Sequence, residues 1–100
     1  MALRMVLEGD LFRPLVFCDH CGERIDDARD ANAEYVRDAG GLRPLTGQVF
    51  FTHKVCSDAF ERRHGDTGFE ALDVFLVYLE NNVRLRRGKA LVTARRLAQL

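Results

Sequence analysis

Tryptophan is absent from this sequence, proline and methionine each occur twice, and only two of the fifteen basic residues are lysine. So little proline excludes an extended proline-rich rod. The arginine bias suits anion recognition, although a GC-rich coding sequence would produce the same bias. No uninterrupted apolar run exceeds the segment Val74 to Leu79, far short of the roughly 20 residues that cross a bilayer. The first residues carry Arg4, Glu8 and Asp10 where a secretory signal needs an apolar stretch. A soluble, cytoplasmic protein with no membrane partner is expected. Acids are missing from one region altogether: residues 81–100 hold six bases and no acid, against a net −3 over residues 1–50 and −3 over residues 51–80. The formal net charge of zero therefore describes an acidic body with a basic tail, and it gives the whole chain no field toward nucleic acid or membrane.

What is present is a globular composition, 47% hydrophobic and 30% charged, over 100 residues. That length supports one core and not two. A chain this small buries roughly two-thirds of the surface its unfolded form exposes, so a metal or a partner can contribute materially to its stability.

Three cysteines cannot pair off completely, and a reducing compartment disfavours disulfides in any case. Their placement says more. Cys18 and Cys21 form C-x-x-C in Phe17-Cys18-Asp19-His20-Cys21-Gly22, and Cys56 follows His53 in His53-Lys54-Val55-Cys56. Two pairs, each with two intervening residues, offer three thiolates and one imidazole, a closed tetrahedral zinc set. A two-residue spacer lets the chain turn so that both side chains reach one ion, and the N–H groups of the turn can point at the thiolates. Gly22 relieves the positive φ such a turn requires. Cys56, Ala59, Phe60 and Arg63 share one helical face, and Gly65 reads as a stop. Cys56 is thus expected in the first turn of a short helix, where the dipole favours a thiolate. Two other readings stand beside this one: a redox dithiol at Cys18 and Cys21, and a site of three thiolates closed by water or an outside ligand in place of His53. His20 and His64 read as solvated.

Between the pairs lie 31 residues. Ala33 to Val36 and Gly47 to Thr52 read as strands, and Ala39-Gly40-Gly41 with Pro44 as the turn between them. Knuckle, hairpin and a helix carrying the second ligand pair resemble the treble-clef group of zinc fingers, which includes LIM-like and GATA-like modules; the resemblance covers residues 17 to 64. It implies Cys18, Cys21, His53 and Cys56 as the four metal ligands. The gap between pairs is longer than in LIM modules and there is no second zinc half. The all-cysteine set and basic recognition helix of GATA modules are missing as well, so neither protein docking of the LIM kind nor sequence-specific DNA reading follows from the resemblance.

Elsewhere, Leu3, Met5 and Leu7 alternate with Arg4 and Val6, and Glu8-Gly9-Asp10 turns the chain into Leu11 to Phe17, a hairpin whose second strand Pro14 confines to an edge or a bulge. Asp19 to Asp38, with seven acids, reads as a solvated loop or surface helix. Thr67-Gly68-Phe69-Glu70 has the form of a capping box and predicts a long helix over residues 67–87, with Phe69, Leu72, Leu76, Leu79 and Val83 as its apolar stripe and Glu80 paired with Arg84. Gly88 either caps that helix or separates it from a basic tail over residues 88–100.

The reading is an α+β fold: one zinc-binding domain made of a treble-clef module, an N-terminal β-hairpin and a long C-terminal helix. No nucleophile has an identifiable base and no glycine-rich phosphate loop follows a strand, so no enzyme is expected. The expected function is a non-catalytic zinc interaction protein, an adaptor or regulator that docks on a protein partner or on itself through Leu72, Phe75, Leu76, Val77 and Leu79. The alternative is a nucleic-acid-binding zinc finger using Arg84, Arg86, Arg87, Lys89, Arg95 and Arg96, which lack interleaved aromatics for base stacking.

Overall fold

The computed structural model describes residues 2–37 and 47–100. Strands β1 (Leu3–Glu8) and β2 (Leu11–Val16) form the expected antiparallel hairpin, in register from Leu3 opposite Val16 to Glu8 opposite Leu11. Gly9, at φ +62°, takes the first position of the two-residue turn, a place that only glycine fills without strain. Pro14 faces Met5 in a two-stranded sheet, where both strands are edges.

A 3-10 turn over Ala28–Asp30, capped by the Asp27 carboxylate on the Arg29 N–H, leads into β3 (Ala31–Val36). β3 is the centre of a three-stranded antiparallel sheet, flanked by β4 (Phe50–His53) and β5 (Thr67–Ala71). The hairpin expected between the two ligand pairs is therefore present as β3 and β4; the turn assigned to Ala39-Gly40-Gly41 and Pro44 lies outside the described residues. After β4 come a 3-10 turn (Lys54–Cys56) and α1 (Ser57–His64), which Gly65 ends at φ +95° by donating its N–H to the Glu61 carbonyl.

The acidic segment is not simply solvated. Glu34 on β3 is fully buried and accepts hydrogen bonds from the hydroxyls of Thr52 on β4 (2.6 Å) and Ser57 on α1 (2.8 Å), with Thr67 of β5 at 3.5 Å. One carboxyl group thus ties together the three elements that pack around the central strand. This is the hydrogen-bonded form in which a buried carboxyl is tolerated.

The single long helix over residues 67–87 is replaced by a strand, a helix and a break. Thr67 and Glu70 form no capping box, because residues 67–71 pair with β3 as a third strand and α2 (Leu72–Asn82) starts only afterwards. β3 would otherwise have an unpaired edge, and satisfying that row of backbone groups outweighs a local cap. α2 ends in paired bonds from Leu85 N–H to the Glu80 carbonyl (2.9 Å) and from Arg84 N–H to the Asn81 carbonyl (3.2 Å), with Arg84 left-handed at φ +53°. Gly88 is accordingly the first residue of α3 (Gly88–Ala98) and not a cap, and the Glu80 carboxylate pairs bidentately with Arg87 (2.7 Å each) instead of Arg84.

The core is small: Cys18, Ile25, Ala31, Ala33 and Leu72 are buried together, with Val16, Ala28, Phe51, Cys56 and Phe75 against them. A satellite contact sets Phe60 of α1 between Phe50 (5.2 Å) and His64 (4.2 Å). Opposite Tyr35, on β5, stands Gly68, where an added Cβ would come within 2.3 Å of the Tyr35 ring. The tyrosine lies over the glycine as an aromatic cover. Gly68→Ala is expected to cost about 1–2 kcal/mol by urea denaturation, and the cost should vanish when Tyr35→Ala is already present. A penalty unchanged in the double variant would show that the ring is not what Gly68 accommodates.

Candidate metal centre

The ladder of β2 continues past its end: Phe17 bridges Arg24 and the Ile25 N–H donates to the Val16 carbonyl (2.8 Å), so that residues 18–22 form the tip of a hairpin. Gly22 stands at φ +78° and its N–H reaches the Cys18 carbonyl (2.9 Å). At this tip the N–H groups of His20 (3.4 Å) and Cys21 (3.5 Å) point at the Cys18 sulfur. A third N–H, that of His53 at the end of β4, reaches the same sulfur at 3.4 Å. Backbone dipoles thus surround the one ligand that is fully in the core.

The second pair arrives on rigid elements. His53 closes β4, and Cys56 ends the 3-10 turn as the N-cap of α1, one step before the helical first turn expected for it. The helix dipole still acts on its sulfur from there. The His53 Nδ1 stands 3.4 Å from the Cys21 sulfur, while its Nε2 stands 3.1 Å from the Arg24 carbonyl. A carbonyl oxygen only accepts, so Nε2 carries the hydrogen and Nδ1 turns its lone pair toward the sulfurs. The four ligand atoms of Cys18, Cys21, His53 and Cys56 all lie within 4.8 Å of one another, and this group can hold a metal ion. Neither His20 nor His64 joins it: His20 keeps a buried Nδ1 without a hydrogen-bond partner, and His64 stacks on Phe60.

Asp19 is a positioning residue that the sequence reading passed over. Its N–H donates to the Phe51 carbonyl (2.7 Å) and its carboxylate accepts from the Phe51 N–H (2.8 Å), so one residue of the knuckle clamps β4 two positions before His53. An acid inside C-x-x-C is the only signal the sequence offered for it.

The electrostatics of the cluster favour a cation among its sulfurs. Burial acts to raise the Cys18 thiol, yet the N–H groups of Cys21, His53 and His20 and the Cys21 side chain outweigh it and hold it down to about 7. Burial, followed by the charge of Cys18 and hydrogen bonds with Cys18 and Cys21, pushes the Cys56 thiol up to about 12. One thiolate is accommodated by backbone dipoles alone; the next is opposed by the first, and a cation removes that opposition.

The remaining predicted site residues are dispersed. Leu72 is 2% exposed and belongs to the core, so it is removed from the docking face, and Phe75 is half-buried against Phe51 with ring centroids 6.0 Å apart. Leu76, Val77 and Leu79 are exposed, together with Val74 and Tyr78, while α2 packs against β3, β5 and the Ala28–Asp30 turn. Of the basic residues, Arg84, Arg86 and Arg87 lie in and around the break after α2, with Arg87 committed to Glu80, while Lys89, Arg95 and Arg96 are on α3. No helix among the described residues is long and apolar enough to cross a membrane.

Set against family models, curated proteins and solved structures, the chain finds no match. The chemistry of the cluster is therefore the ground on which a function rests.

Metal uptake is expected to strengthen steeply with pH. Binding displaces the Cys56 proton throughout the neutral range, since that thiol sits near 12, and the Cys18 proton progressively less as pH rises through about 7. Cobalt(II) titration followed by its thiolate charge-transfer band should show the affinity rising between pH 6 and 8. An affinity flat over that range would exclude thiolate ligation.

Proposed function

We propose that the chain is a non-catalytic zinc-binding interaction protein, an adaptor or regulator in which Cys18, Cys21, His53 and Cys56 hold one structural Zn²⁺ and α2 presents the docking surface. The observation that carries this reading is the convergence, within 4.8 Å, of ligand atoms from two pairs separated by 31 residues. A tetrahedral zinc with Zn–S of about 2.3 Å sets its ligand atoms about 3.8 Å apart, which this cluster reaches by a small contraction. Three sulfurs and one nitrogen suit zinc better than calcium or magnesium, which take oxygen. With all four positions supplied by the protein, no place is left for a reacting water, and this supports a structural over a catalytic role. The order of knuckle, hairpin and ligand-bearing helix supports placing the module with treble-clef zinc fingers.

The docking half of the reading is supported by α2. A shallow groove of about 610 Å³ runs along Asp73, Val74, Val77, Tyr78 and Asn81, and Val77 and Tyr78 are more than three-fifths exposed. A protein helix or strand with apolar anchors fits such a surface.

Two outcomes are expected. Chelation, or Cys56→Ser, should unfold the centre of the chain as followed by circular dichroism, since binding free energy of roughly 10 kcal/mol or more is folding free energy in small zinc modules; His20→Ala should leave the zinc content at one per chain. Full zinc occupancy in Cys56→Ser would sink the ligand assignment. Separately, Val77→Glu should leave zinc content and helicity intact while weakening partner capture at least about tenfold, and capture unchanged by this variant would remove α2 from the interface.

A further inference from the structure

Cross-strand partners share a face of a sheet, so the register of the three-stranded sheet places Ala33 and Tyr35 of β3, Phe51 of β4, and Gly68 and Glu70 of β5 on one side. α2 lies across that side. Leu72 is buried with Ala33 in the core, and Phe75 meets the Phe51 ring edge-on. Tyr78, three residues further on, returns to the helix face of Phe75. Below this turn the sheet offers only the methyl group of Ala33, and a pocket of about 190 Å³ opens between Ala33, Tyr35, Val49, Glu70, Phe75 and Tyr78, all of them described residues. Three aromatic rings and one carboxylate thus share a small space with no basic side chain in its lining. Two of the rings are placed by residues that do not line it: the Tyr35 ring stands over Gly68, and Phe75 is held against Phe51. Glu70 is exposed and has no hydrogen bond or ion pair among the described residues.

We propose that this pocket binds an alkylated ammonium group, of the kind carried by a methylated lysine side chain or by choline. The face of an aromatic ring is negative and attracts a cation within about 6 Å of its centroid. Glu70 adds a formal negative charge to the same lining, so the rings and the carboxylate select the same sign of ligand. The alkyl groups follow from a count of donors. A bare ammonium brings three N–H donors and a guanidinium five, whereas the wall that meets them is mostly carbon; donors left unpaired after water is displaced cost affinity. A quaternary ammonium has no donor to lose and sets its methyl groups against ring and aliphatic carbon. The volume lies below the about 300–1,000 Å³ of pockets for drug-sized ligands, so the pocket admits a head group and leaves its carrier outside.

Tyr78 also borders the groove on α2, yet the pocket is defined by its own lining and holds whether or not that groove takes a partner. The test is an NMR titration of the full, zinc-loaded chain with tetramethylammonium chloride, against sodium chloride at equal ionic strength. Saturable shifts are expected at Tyr35, Glu70, Phe75 and Tyr78. Choline should bind at least about tenfold more tightly than the neutral alcohol in which carbon replaces its nitrogen, since that alcohol keeps the shape and loses the charge. Tyr78→Leu keeps an apolar wall and removes a ring, and Glu70→Gln removes the carboxylate charge; each should weaken choline binding roughly three- to tenfold, with zinc content and circular dichroism unchanged. Tighter binding of acetylated trimethyllysine amide than of choline supports the site and assigns it to a protein side chain, and the reverse order supports it with a choline-type ligand. Equal affinity for the neutral alcohol, or for the unmethylated lysine amide, overturns the proposal. Shifts that do not saturate, shifts centred on other residues, or full affinity in both variants overturn it equally, and none of these results touches the metal assignment or the groove.

Discussion

Four ligand atoms capable of holding one metal ion converge on a single point of this fold, and most of the remaining structure is arranged around that convergence. Cys18 comes from the end of the hairpin ladder, Cys21 from the knuckle tip, His53 from the last residue of β4 and Cys56 from the N-cap of α1. Each lies on an element with little burial of its own. The apolar core beside the cluster contains two alanines, one isoleucine, one leucine and Cys18 itself as fully buried members. At about 25 cal/mol per Å² of apolar area, side chains this small return little against a backbone entropy of about 1–2 kcal/mol per ordered residue. A metal held by four donors would supply what the core lacks, in the manner of other small modules.

Around that point the protein adds polar clamps where a larger domain would add apolar mass. Asp19 grips both backbone groups of Phe51, which aligns β4 so that the His53 N–H meets the Cys18 sulfur. The Arg24 carbonyl fixes the imidazole tautomer. Glu34 does the same for the other side of the sheet, joining β3, β4 and α1 through a carboxyl that is wholly out of water. Such groups are directional, so they set orientation as well as contributing energy, and a ligand cluster needs orientation above all.

What could be read from the sequence follows from how local each feature is. The ligand pairs were legible because each is a contiguous motif whose spacing is dictated by the reach of two side chains to one ion. The N-terminal hairpin was legible from alternation and a Gly-Asp turn. The helix boundary was not: Thr67 to Glu70 satisfies every local rule of a capping box, and only the presence of an open edge on β3, about 30 residues away in sequence, turns the segment into a strand. Glu34 was illegible for the same reason, since an acid among six others declares nothing until Thr52 and Ser57 arrive beside it. The helical period of Leu72, Leu76 and Leu79 was legible, yet the first is buried and the other two are exposed; periodicity identifies the element, and the neighbour that covers a face is a separate matter.

That last point connects stability to the surface. In a domain held by its core alone, leucines and valines at helical spacing must face inward, because nothing else supports the fold. Here a metal site can carry that duty, which releases apolar side chains for the exterior: Val74, Val77 and Tyr78 on α2, and Leu3, Met5, Leu7 and Phe12 on the hairpin. The two sets occupy different elements, and the hairpin set has been cleared of charge while the groove on α2 retains Asp73 and Asn81 at its edges. Where a cation carries part of the stability, the exterior is free to hold apolar side chains on two elements of different character, one face without charge and one groove with a polar rim.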